Sequence, residues 1–361
     1  MRSNRTILSI LAASFAMFAL ILDAKTALEG AMEGVQLCIT TAIPSLFPFI
    51  VISAILTALL SGRNYPFLHP LGRILSLPPD TEHLILLGFL GGYPTGAQNI
   101  AQTYKSGLLS KNQAEHMLPF CNNAGPAFIF GIGIGLLDNI WLCLLLWLVH
   151  ISSALLIGFL TPVDRDRSTT SCVHVPISLT DAVNRSITVI TSVCGWIILF
   201  RTLLAFLQHW VFWLFPEDIT VLLRGFFELT NGCCSLGTIS SIGERFVLFS
   251  VMLAFGGLCV LLQTQSILSE YALSAKIYFL GKITQASASY LLCVMIDLIF
   301  PNLMDFSPQS WMVLLACLIC FCYRKIITKP QKDIAFLQRV MYNGKQSNSG
   351  GSTYEVVSQE S

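Results

Sequence analysis

Gly88-Phe89-Leu90-Gly91-Gly92-Tyr93-Pro94-Thr95-Gly96-Ala97, followed further on by Cys121-Asn122-Asn123-Ala124-Gly125-Pro126, interrupts an otherwise apolar chain. A second set of interruptions comes later: Gly225-Phe226-Phe227-Glu228-Leu229-Thr230-Asn231-Gly232, then Phe255-Gly256-Gly257-Leu258. Both sets follow one plan: a short apolar piece, a polar break, a connecting helix, and a second break inside a membrane-length segment. Paired interrupted segments at corresponding places of two halves point to a transporter-like site near the bilayer midplane.

Composition places the chain in a membrane. Of 361 residues, 54% are hydrophobic and 11% charged, with a mean hydropathy of +0.69. Soluble domains carry about 25% charged residues, so the sequence reads as an all-α polytopic membrane protein with the lipid bilayer as its surroundings. No basic run with interleaved aromatics supports nucleic-acid binding. The 12 cysteines are scattered through apolar stretches and behave there as small hydrophobes. Cys317, Cys320 and Cys322 lie close together but without histidine, so no zinc or iron set is expected. Neither His-Glu-x-x-His, Gly-x-Ser-x-Gly nor a Walker loop occurs, and no enzyme activity or cofactor is expected.

Apolar, mostly uncharged runs mark expected spans at 6–22, 34–62, 116–137, 139–160, 186–215, 246–269, 277–300 and 309–323. Residues 6–22 read as an uncleaved anchor. Lys and Arg orient the chain. Arg2, Arg5, Arg63, Arg73, Lys105, Lys111, Arg165, Arg167, Arg185, Arg324 and Lys325 fall on one face if 83–106 is a re-entrant hairpin from the cytoplasm. The other face carries Asp23, Glu29, Glu33, Asp138, Glu217 and Asp218, so a second hairpin at 222–243 enters from outside. The expected fold has about eight transmembrane helices and two re-entrant hairpins in an inverted repeat, with both termini cytoplasmic. Its parts are an anchor and outer loop (1–33), a first repeat (34–160), a linker (161–185), a second repeat (186–325) and a basic segment with a disordered tail (326–361). The sequence does not specify an oligomeric state.

The chemistry concentrates at the breaks. Pro94 removes a backbone donor while Gly91, Gly92 and Gly96 loosen the chain. A half-helix starting near Thr95 is expected to aim its first N–H groups at a cavity, where they favour an anion or electron-rich oxygen, and Gly92 through Gly96, Tyr93 among them, are taken as part of that site. The alternative is a plain hairpin turn. Ser110 and Gln113 fit a capping box that starts a helix running into Asn122, Asn123, Gly125 and Pro126. Pro126 frees the Asn122 carbonyl. The two amides suit a small polar solute, or else tie the helix to its neighbours. At the second hairpin tip lie Glu228, Thr230 and Asn231. Gln263 and Gln265 follow the Gly256-Gly257 break and could complete the lining. A carboxylate at membrane depth is costly and usually functional, so Glu228 is the group nominated if sodium or protons are coupled. Arg201 is its expected counter-charge, as a structural ion pair or as part of coupling. The Gly131-x-Gly133-x-Gly135 spacing suggests close helix packing, and His150 and His209 read as packed or interfacial.

These motifs resemble the YlbJ-type sporulation integral membrane proteins, within the wider nucleoside-recognition, or Gate, membrane domain family. The resemblance covers about residues 35–325. It implies an inner-membrane protein of spore-forming Firmicutes and kinship with concentrative nucleoside transporters, whose sites lie between two re-entrant hairpins and two unwound helices. It carries over the hairpin tips and helix breaks but no individual nucleoside-binding residue. The expected function is therefore a carrier or channel for a small polar solute acting in sporulation. The alternative is a non-transporting scaffold or sensor for spore envelope assembly.

Overall fold

Every regular element among the described residues is helical. The computed structural model describes residues 2–60, 63, 65–78, 80–161, 177–301 and 308–327. Most of the expected linker and nearly all of the expected tail lie outside them.

The chain opens with α1 (Arg2–Leu22) and α2 (Ala24–Leu37), which meet at a 98° bend. Asp23 sits at the corner and accepts from Thr26 N at 3.2 Å, capping α2. A π-turn over Cys38–Ala42 leads into α3 (Ile43–Leu60), and a short α4 (His69–Ile74) follows.

The next helices form two series. In the first, α5 (His83–Gly91) and α6 (Thr95–Lys105) are a short pair. They are followed by α7 (Lys111–Cys121) and α8 (Pro126–Leu137), which form one interrupted span, and by the long α9 (Ile140–Leu160). After α10 (Leu179–Trp210) the order repeats: α11 (Glu217–Phe227) and α12 (Leu229–Ser235), then α13 (Ile242–Phe255) with α14 (Gly257–Glu270), then α15 (Lys276–Ile299). A final helix, α16, spans Ser310–Ile327. The predicted capping box of α7 forms, with Gln113 N donating to Ser110 Oγ at 3.3 Å and Ser110 N to Gln113 Oε1 at 2.8 Å.

By length and composition, 6 helices among the described residues can cross a membrane, or up to 7 if the bent α1–α2 pair is one span. This count falls short of the expected eight, and the difference lies at the start of the chain. The expected spans 6–22 and 34–62 become the bent pair and the shorter apolar helix Leu46–Leu60. Asp23 ends the first apolar run by capping a new helix, and the π-turn divides the second.

Apolar clusters hold the halves together, and two are the largest. One joins α8, α9, α13 and α15 through Ile129, Leu146, Phe246, Phe249 and Cys293. The other packs α5, α6 and α7 against α14 and α15 through Ile85, Phe120, Leu268 and Tyr278. Outward faces remain apolar, as at Leu8, Phe15, Trp311 and Phe321, which suits lipid rather than water.

The glycine packing motif differs from the expected one. Of the three glycines only Gly133 packs closely, a Cβ there lying 3.2 Å from Cys143 Sγ on α9 and 3.4 Å from Phe249 on α13; a Cβ on Gly131 or Gly135 would meet nothing within 4 Å, so the pair spaced by four packs no helix. Gly30 and Gly34 of α2 do this instead. A Cβ there would lie 2.7 Å from Ala205 Cβ and 2.7 Å from Ile198 Cα on α10. Small residues spaced by four let the two backbones approach.

Candidate functional site

Both series of broken elements border one cavity of about 100 Å³. The first series supplies Leu90–Tyr93 at the α5–α6 corner and Ala124–Gly125 at the α7–α8 break. The second supplies Glu228–Thr230 at the α11–α12 corner, with Cys259, Val260 and Gln263 from α14. Leu46 and Phe49 of α3 and Val193 and Ile197 of α10 line another side. Of the expected site residues, Gly92, Tyr93, Gly125, Glu228, Thr230 and Gln263 line this cavity, and the others do not.

The first corner and first break touch directly. Gly92 adopts φ +75°, and a Cβ on it would sit 3.0 Å from Gly125 N. Only glycine accepts both the left-handed backbone and that approach. Tyr93 spans the two halves, donating its hydroxyl to the Leu253 carbonyl at 3.1 Å. A Cβ on Gly256 would lie 3.4 Å from the Tyr93 ring.

The half-helix α6 does not offer its first N–H groups to the cavity. Ala97 N donates to Asn122 Oδ1 at 3.2 Å, and Thr95 N donates to the Gly92 carbonyl at 2.9 Å. Pro94 is the residue before α6, and Thr95 turns its hydroxyl back to the Gly91 carbonyl at 3.2 Å. Gly96 and Gly88 clasp the end of α7: a Cβ on either would fall 2.0 Å from the Cys121 carbonyl oxygen. These residues seat the corner against the break, and the break satisfies its donors.

Asn122 and Asn123 are fully buried behind the lining. Asn122 Nδ2 donates to Thr264 Oγ1 at 3.1 Å and to Tyr278 Oη at 2.9 Å, joining α7 to α14 and α15. The Asn122 carbonyl, freed by Pro126, accepts from Lys282 Nζ at 3.0 Å. Asn123 Oδ1 accepts from Lys282 Nζ and Gln285 Nε2, each at 3.2 Å. His150 Nε2 accepts from Ala124 N at 3.2 Å, which gives that packed histidine a defined task at the break. His209 lies near the chain's other end of α10, 3.9 Å from Asp23.

The second corner works differently. Glu228 is 3% exposed and caps α12, accepting from Thr230 N at 3.0 Å and Asn231 N at 2.7 Å. Its expected partner is elsewhere: Arg201 Nη2 lies 3.8 Å from Glu33 Oε2 on α2. The close α2–α10 packing brings Glu33 to Arg201, whereas α12 offers Glu228 two backbone N–H groups that need no cation. Gly256 and Gly257 take φ +85° and +77°, turning the chain between α13 and α14. Gln263 donates to Cys259 Sγ at 3.2 Å, and Gln265 is exposed.

Sequence reasoning missed Lys282, Gln285, Thr264 and Tyr278. The signal for Lys282 was present: a lysine within the run 277–300, which reads as an apolar span. An ionisable residue inside such a span points to function or to a polar partner.

Helices long enough to cross a bilayer, with two corners and one break lining a cavity between them, define an all-helical integral membrane protein. No protein-family model matches the chain, and no solved structure matches it. The chain is similar to the sporulation integral membrane protein YlbJ of Bacillus subtilis (strain 168), with 26% identity over 328 residues, 77% of this chain and 80% of that protein. This similarity supports a YlbJ-type family. The likeness to the Gate domain rests on the quoted motifs.

Proposed function

We propose that the chain is a carrier-type or channel-like membrane protein acting in sporulation, with its solute held between the two corners and the two helix breaks. The observation that supports this reading is the convergence of three interruptions from two halves, Leu90–Tyr93, Ala124–Gly125 and Glu228–Thr230, on one cavity that Cys259, Val260 and Gln263 of α14 also line. In this reading 83–106 and 222–243 are re-entrant hairpins entering from opposite faces of the inner membrane, and both termini are cytoplasmic. The two halves rock about the site.

The lining limits the solute. Its polar side chains include Thr41, Glu228, Thr230 and Gln263, while most of the wall is apolar. At about 100 Å³ the cavity is below the ~300 Å³ at which small-molecule pockets usually begin. A nucleoside-sized solute requires the halves to move apart. Specific ligands stabilise the state they bind, by about 2.7 kcal/mol at a hundredfold excess over Kd. A melting screen of the purified protein with nucleosides, amino acids, dicarboxylates and ions tests this. One class should raise the melting temperature of wild type but not of Gln263→Ala or Thr230→Ala. No response from any class, with transport also absent in proteoliposomes, would contradict the reading.

A second reading, a non-transporting scaffold or sensor, draws on the closed network behind the cavity. Glu228 and the α6 terminus find partners within the chain. In that case Thr230→Ala and Gln263→Ala would still complement a sporulating host that lacks its YlbJ.

A further inference from the structure

Lys282 reaches from α15 to the first break, and its side chain is fully buried. Its ammonium donates to the Asn122 carbonyl at 3.0 Å, Asn123 Oδ1 at 3.2 Å and Gln285 Oε1 at 2.6 Å. An ammonium has three donors and no acceptor, so this cage uses it fully. Nζ also lies 5.0 Å from the Tyr93 ring centroid and 5.9 Å from that of Tyr278, close enough for the ring faces to attract a cation. Among the described residues no carboxylate pairs with it.

One of the three oxygens exists because the helix is broken. Pro126 lacks the N–H that would otherwise bond the Asn122 carbonyl. Unwound carbonyls of this kind coordinate alkali cations in membrane carriers. Burying an ammonium without a counter-ion is costly unless its donors are all satisfied, and here neutral oxygens satisfy them. We propose that Lys282 is the resident cation of the first break, filling with a tethered charge the oxygen cage that a free monovalent cation would otherwise occupy.

The first break then needs no bound sodium or potassium. Lys282 is a positioning residue: it fixes the Asn122 carbonyl and the Asn123 amide, and backs the Tyr93 ring that lines the cavity. The inference holds whether or not the protein moves a solute, so its test reads melting rather than transport.

The experiment uses the full chain in detergent micelles, as wild type, Gln285→Glu, Lys282→Met and the double variant. Gln285→Glu gives up the bonds its amide donates to Asn123 Oδ1 and Ser153 Oγ, but a carboxylate placed beside a resident ammonium is paired, so its melting temperature should fall by no more than the loss of those two bonds explains. In the Lys282→Met background the same change buries an unpaired carboxylate. It should lower the melting temperature by roughly 5 °C or more beyond Lys282→Met alone. If Gln285→Glu costs as much with Lys282 as without it, no charge resides in the cage and the proposal fails. Should Lys282→Met not accumulate, Gln285→Glu is compared with Gln285→Met, which loses the same donated bonds: melting above Gln285→Met supports the proposal, and melting at or below it overturns it. Wild type should also melt equally in sodium and choline chloride. A sodium-dependent rise that disappears in Asn123→Ala would put a free ion in the cage and overturn it too.

Discussion

Replacing Asn122 with alanine should cost the protein its fold before it costs it any solute. The side chain makes three hydrogen bonds to three different elements: Ala97 N on α6, Thr264 on α14 and Tyr278 on α15. Each is worth about 1 kcal/mol net, and a buried N–H left without a partner adds about 1–3 kcal/mol. Ala97 N would be such an orphan, because Ala97 is fully buried. Thr264 and Tyr278 lie 3.5 Å apart and can turn to each other, so they add little. The total is about 4–6 kcal/mol. For a chain of this size that lowers the melting temperature on the order of 10 °C. The assay is membrane abundance together with melting in detergent. If Asn122→Ala melts within about 2 °C of wild type yet fails to support sporulation, the amide acts on a solute, and the structural role derived above is wrong.

Other perturbations separate the remaining assignments. Arg201→Gln and Glu228→Gln should be additive within about 0.5 kcal/mol in a double-mutant cycle, because Arg201 faces Glu33; coupling well above that would restore the Arg201–Glu228 pair. Glu228→Ala should lose the α12 cap at a cost of about 1–2 kcal/mol, and Glu228→Gln should cost less because its amide oxygen still accepts; equal losses in melting would contradict the capping role. Gly34→Val should reduce abundance, with about 1–3 kcal/mol of overpacking against α10, while Gly135→Ala should melt like wild type; the opposite order would show that the Gly131–Gly135 pair makes the helix contact.

Much of the fold was legible because it is written in local chemistry. Proline and glycine cluster at the interruptions near 91–96, 125–126 and 256–257, where they loosen or end the helix, and the long apolar runs between them are long enough to span a membrane. The repeated order of corner, broken span and long helix followed from those signals. What the sequence could not disclose was which groups face each other across elements far apart in the chain. Glu228 and Arg201 were plausible partners by depth, but depth says nothing of rotation about a helix axis. The contact of Gly34 with Ile198 places Glu33 beside Arg201, and a backbone cap satisfies Glu228 instead. Gly131 and Gly135 have the right spacing on a face with no partner. Asn122 and Asn123 were rightly singled out as polar groups at a break. The side on which they would find partners depended on α15, whose lysine is one residue in an apolar run. Residues 34–62 read as one span because a π-turn leaves no mark in hydropathy.

The central claim is that corners from both halves meet at one cavity. It is tested most directly by cross-linking Leu90→Cys to Thr230→Cys with a short bifunctional thiol reagent. The test uses a variant with its native cysteines replaced and a protease site placed between residues 162 and 176. Both residues line the cavity, one from each half. After cleavage the two fragments should run as one band only when the reagent and both cysteines are present. Two separate bands after full labelling of both cysteines would contradict the account.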